Sequence, residues 1–136
     1  MKKFKLACVS SLLLAAGLAK AGNPCDSFEI KVKNNLADDL VVRKIQLQGA
    51  DLQPGGIQKI NSKSEEVFTV SNSAEKIPMK GELILNTISL PTKEVKIRFT
   101  LENSGLICKH DDNNSQSDLG LEKTRLPGKV LYTIHY

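Results

Sequence analysis

Between Glu94 and Glu102 the side chains alternate without a break: Val95, Ile97, Phe99 and Leu101 share one parity, and Glu94, Lys96, Arg98, Thr100 and Glu102 share the other. Successive side chains of a strand point to opposite faces, so this pattern predicts a strand with one buried and one wet face. Lys96 and Arg98 stand between carboxylates and read as a solvated face, not as a basic recognition stripe. Phe28, Ile30 and Val32 alternate with Glu29, Lys31 and Lys33 and predict a first strand just after Cys25. The stretch from Leu40 to Gln48 changes parity, with Leu40 and Val42 on one side and Ile45 and Leu47 on the other. One extra residue near Val42 to Lys44 restores a single buried face, so a β-bulge or a change of sheet is expected there.

Glu66 to Ser71 reads as a short strand, and Gly81 to Leu90 as one with apolar residues on both parities, as in the middle of a sheet. Leu90-Pro91-Thr92-Lys93 predicts the turn of a hairpin between that strand and Glu94–Glu102. Gln53-Pro54-Gly55-Gly56 fits a type II turn, with glycine supplying positive φ. After Asn103-Ser104-Gly105, the hydrophilic run from His110 to Asp118 reads as a loop, and Asp118 to Arg125 as room for one helical turn. Pro127-Gly128 then returns the chain into a last strand, with Val130, Tyr132, Ile134 and Tyr136 on one parity. No stretch beyond the first 21 residues carries a sustained helical period. About seven or eight short strands joined by Gly, Pro and Asn turns predict an all-β fold: a single antiparallel β-sandwich, or alternatively a small β-barrel.

The first 21 residues have a different character. Three lysines among Met1 to Lys5 precede an apolar run from Leu6 to Leu18, and Ala19-Lys20-Ala21 places small residues where a signal peptidase reads them. This is the pattern of a cleaved secretory signal peptide of bacterial style, too short to span a bilayer. The expected organisation is a leader over 1–21 and one domain over 22–136. Four of the 19 basic side chains, Lys2, Lys3, Lys5 and Lys20, lie in the leader, which leaves 15 against 15 acidic ones. The sequence pI of about 9.0 therefore belongs to the precursor and gives no support to a nucleic-acid partner. Cys8 leaves with the leader, and Cys25 and Cys108 remain as an expected disulfide of an exported chain.

Candidate chemistry is sparse. The two histidines, His110 and His135, accompany no nucleophile elbow, P-loop, metal-binding helix or dinucleotide fingerprint. Counted from Asp111, oxygen-bearing residues at Asn113, Ser115 and Glu122 follow the spacing of a calcium loop, but Gln116 stands where its sharp turn needs glycine. A solvated loop explains the same composition, and no cofactor or metal is assigned. Ile30-Lys31-Val32-Lys33-Asn34-Asn35-Leu36 and Glu66-Val67-Phe68-Thr69-Val70 resemble segments of actinoporins and aegerolysins. That resemblance implies a sandwich that acts on membranes, although this chain has no Trp to build an interfacial aromatic cluster. The ending Tyr132-Thr133-Ile134-His135-Tyr136 resembles the last strand of chaperone–usher pilus subunits and implies a terminal strand free to pair with a partner. The expectation is an exported, periplasmic or extracellular, non-catalytic binding module for a protein or surface ligand. Membrane action and an unrecognised hydrolase activity are the alternatives, and the polar stretch His110–Asp118 is the expected contact surface.

Overall fold

The computed structural model describes residues 23–56, 58–73, 78–112 and 115–136. The expected leader, with its cleavage residues Ala19 and Ala21, lies outside the described residues. Those that are described form two mostly antiparallel sheets packed face to face, a β-sandwich with no closed barrel. The strands are β1 (Glu29–Asn34), β2 (Leu40–Gln48), β3 (Asp51–Gln53), β4 (Lys59–Ile60), β5 (Glu65–Ser71), β6 (Met79–Thr87), β7 (Glu94–Ser104), β8 (Ile107–Asp111), β9 (Gln116–Ser117), β10 (Gly120–Leu126) and β11 (Lys129–His135). One sheet runs β10-β11-β1-β5-β3; the other runs β4-β2-β6-β7-β8, with β9 also on β7.

The alternation along β7 is realised in full. Val95, Ile97, Phe99 and Leu101 face the core, beside Leu83 and Leu85 of β6 and opposite Ile30, Val32, Phe68, Val70, Val130, Tyr132 and Ile134 of the other sheet. In β2 the register shifts between Val42 and Lys44, so Leu40 and Val42 before the bulge and Ile45 and Leu47 after it all turn inward. Glycine is required at Gly81, the cross-strand partner of Phe99. A Cβ there would stand 2.1 Å from Phe99 Cζ, so the ring lies where a side chain would be. Asn34, fully buried, closes one end of the sandwich. Its amide nitrogen donates to the carbonyls of Asp38 (2.9 Å), Ile60 (3.1 Å) and Asn61 (3.2 Å), and its Oδ1 accepts from Leu36 N (3.0 Å).

The expected disulfide is formed: Cys25 and Cys108 lie 4.6 Å apart at Cα. It ties the segment leading into β1 to β8, and thus one sheet to the other. At the same end Cys25 N donates to Asn103 Oδ1 at 2.7 Å and Glu29 N to Gly128 O at 3.1 Å, which brings the β7–β8 and β10–β11 turns together.

Four expectations are corrected. Asp118–Arg125 holds no helical turn; Gly120–Leu126 is a strand paired along its whole length with β11, because a single helical turn has too few hydrogen bonds to persist alone. The run His110–Asp118 is not one loop, since His110 and Asp111 end β8 and Gln116 and Ser117 form β9, both on β7. Asn113 and Asn114 between them lie outside the described residues. Gly55 lacks positive φ, so no type II turn forms at Gln53–Gly56. The last strand is not free for a partner: β11 lies between β10 and, in parallel, β1.

Candidate functional site

The strand registers place outward side chains in rows across the second sheet. Gln46 of β2 pairs with Glu82 of β6, and Glu82 with Arg98 of β7. In the next row Gln48 pairs with Lys80, Lys80 with Thr100 and Thr100 with Asp111 of β8. Lys44 stands on the other side of the first row, where it pairs with Ile84. Lys44 and the residues of the two rows line a cleft of about 330 Å³, to which Gly81 and Phe99 also contribute. That volume lies at the lower end of the roughly 300–1,000 Å³ usual for small-molecule sites.

At its centre Glu82 takes Lys44 Nζ on Oε1 at 2.6 Å and Arg98 Nε on Oε2 at 2.7 Å. Lys44 first, and Arg98 second, hold the Glu82 carboxyl below the ordinary carboxylate range. These pairs are partly exposed and add little to stability. What they do is fix direction: Arg98 lines the cleft with Nε engaged, and its terminal nitrogens have no hydrogen bond among the described residues. Lys80 and Asp111 likewise have no side-chain partner among the described residues.

Behind the cleft a chain of polar groups runs from the exposed Arg125 through the buried His110 and Tyr132 to the half-buried Asp112 and Ser115. His110 is paired with the inward-facing Leu101, so its ring enters the core and is only 7% exposed. It stacks against Phe28 (centroids 6.0 Å apart, planes at 16°) and Phe99 (5.8 Å, 25°). Arg125 Nε of β10 donates to His110 Nδ1 at 3.2 Å. Nδ1 is therefore the acceptor nitrogen, the proton belongs on Nε2, and Nε2–H donates to the hydroxyl of Tyr132 at 3.0 Å. Tyr132 in turn bonds Asp112, whose Oδ1 also accepts from Ser115 Oγ. Ser115 Oγ accepts from Arg98 N at 2.9 Å, the point where the edge formed by β8 and β9 is interrupted.

Burial, then the Arg125 guanidinium, push His110 down from 6.5 to about 4, so the imidazole is neutral in ordinary buffers. Burial, then the Asp112 carboxylate, raise Tyr132 well above the ordinary phenol range. Serine, aspartate and histidine thus share one network, but the aspartate stands next to the serine and the histidine lies a tyrosine further on. No histidine nitrogen is placed to take a proton from the Ser115 hydroxyl.

His135 does not join His110. It sits at the end of β11, with Nδ1 2.8 Å from Tyr136 O and Nε2 3.8 Å from Glu122 Oε1. The oxygen ligands of the calcium spacing are separated too: Asp111 is paired in one sheet with Thr100, and Glu122 in the other with Thr133. Among the described residues no group of three or more His, Cys, Asp or Glu is arranged to hold a metal. The cleft was not apparent along the chain because its residues come from four strands. The available signal was the charged side chains on the outward parity of β2, β6 and β7, among them Lys44, Lys80, Glu82 and Arg98. No protein-family model matches the sequence, and no curated protein matches it.

Proposed function

We propose that the protein is an exported, non-catalytic binding module, periplasmic or extracellular, which recognises its ligand on the outward face of β2, β6, β7 and β8. The observation that carries this reading is the cleft around the Glu82–Arg98 pair, where Lys80 and Asp111, without a side-chain hydrogen bond among the described residues, line one face of the sheet. The leader pattern and the Cys25–Cys108 bridge support export, because such bridges persist in oxidising compartments. Amide chemical-shift mapping against a library of sugars, sugar acids, amino acids and dipeptides tests it. Shifts should cluster at residues 44–48, 80–82, 98–100 and 111; hits confined to other surfaces, or no hits at all, overturn it.

A second reading, contact with a lipid surface, has one observation in its favour. Leu106 (90% exposed), Ile107 (64%) and Leu126 (47%) project from two turns at the disulfide end of the sandwich. Co-sedimentation with anionic and zwitterionic vesicles tests it. Retention lost in a Leu106→Glu, Leu126→Glu variant supports it, and equal recovery of both proteins in the supernatant removes it.

A further inference from the structure

Across the sheet the cleft runs from Gln46 and Gln48 of β2, through Lys80, Glu82, Arg98 and Thr100, to Asp111 of β8, and this order of charges restricts what it can hold. The Nε atom of Arg98 is committed to Glu82, whose second oxygen is committed to Lys44, so the guanidinium plane is set before any ligand arrives. Its terminal edge presents parallel N–H groups, the arrangement that matches the two oxygens of a carboxylate. Lys80, one row away and paired with Thr100 beside Arg98, adds a second cation. Further along that row Asp111 is an acceptor only, while Gln46, Gln48 and Thr100 each donate and accept.

We infer that the cleft binds a polyhydroxylated carboxylate, a sugar acid either free or as a unit of an acidic glycan. The carboxylate lies on Arg98 and Lys80, and the hydroxyls on Asp111, Gln46, Gln48 and Thr100. This inference rests on the binding reading above and adds the class of ligand. Lys44, Lys80 and Arg98 against Glu82 and Asp111 leave one net positive charge, which a single carboxylate neutralises. No aromatic face is presented outward for a nucleobase to stack on, since Phe99, the one aromatic residue at the cleft, is buried.

Isothermal titration of the protein with galacturonate, trigalacturonate and the neutral trisaccharide maltotriose tests the inference. Trigalacturonate should bind at least about tenfold more tightly than maltotriose, with an affinity that falls as salt rises. Galacturonate alone separates the sources: affinity equal to that of the trimer means a free sugar acid, and weaker binding means a glycan. Arg98→Lys, which keeps the charge and removes the fork, and Lys80→Gln should each weaken trigalacturonate by about tenfold while thermal unfolding stays in place. Asp111→Asn should also weaken it, because a hydroxyl acceptor is lost; a rise in affinity would reduce the site to a bare anion sink and overturn the inference. Equal binding of maltotriose and trigalacturonate with shifts in the cleft overturns the ligand class and leaves the binding reading standing. Absence of all three, while other library compounds still shift the cleft residues, also overturns the class alone.

Discussion

Arg125 on the edge of one sheet donates to Nδ1 of His110 on the edge of the other, 3.2 Å away. The contact spans the open side of the sandwich where β8 and β10 face each other, and it works only while the imidazole is neutral. A second proton on His110 would turn Nδ1 into a donor facing a donor and set two cations side by side. Asp111 and Asp112 offset part of that cost and Lys123 adds to it. The closure between the two edge strands is therefore sensitive to acid.

The sign follows from the folded value of about 4 lying below the ordinary 6.5. The unfolded chain binds the proton first, so this contribution is complete above pH 6.5 and is lost as pH falls toward 4. After discounting for solvent screening the loss is of the order of 2 kcal/mol. Urea unfolding midpoints should fall over that interval in the native sequence and fall less in His110→Leu. The same slope in both proteins would show that carboxylates such as Glu82 carry the whole effect.

Tyr132→Phe should destabilise by about 1–3 kcal/mol, since it leaves His110 Nε2–H and an Asp112 oxygen without their partner. It also changes the alkaline limb. The folded phenol is held protonated, whereas the unfolded one ionises near 10.0, so native stability should decline above that pH. Thermal melts from pH 9 upward should show less decline in the variant.

Gly81→Ala should cost about 1–3 kcal/mol and broaden the ring resonances of Phe99 and His110, because the new methyl occupies the place of the Phe99 ring. The floor of the cleft moves with it. A melting temperature unchanged within error would mean that the ring swings away freely.

Replacing Cys25 and Cys108 together by Ser opens a loop of 83 residues, and chain entropy puts the loss at up to about 4–5 kcal/mol. That is a large share of the roughly 5–15 kcal/mol typical of a small domain. Calorimetry of the double variant should show a markedly lower melting temperature, with the same shift on reduction of the native protein.

What could be read along the chain was whatever local pattern decides. The parity of Val95 to Leu101 gave β7, and the parity change across Val42 to Lys44 gave the bulge, because a buried face permits only one register. His110 was misread because a histidine in a polar run carries no parity of its own. Its inward direction comes from pairing with Leu101, and its tolerance of burial from Arg125 and Tyr132, which arrive from distant strands. Gly120 to Leu126 was misread for a related reason: its exposed edge bears few apolar side chains, and β11 supplies the pairing. The cleft depends on three registers at once, one of them shifted by the bulge, so Lys44, Glu82 and Arg98 meet only in the folded sheet.

The functional reading stands on export as much as on the cleft, and intact-mass spectrometry of the protein purified from its native cells under non-reducing conditions tests it most directly. The expected product begins at Gly22 and is lighter than its reduced form by two hydrogen atoms, with Cys25 joined to Cys108. A chain that still carries Met1, with both of those thiols free, would contradict it.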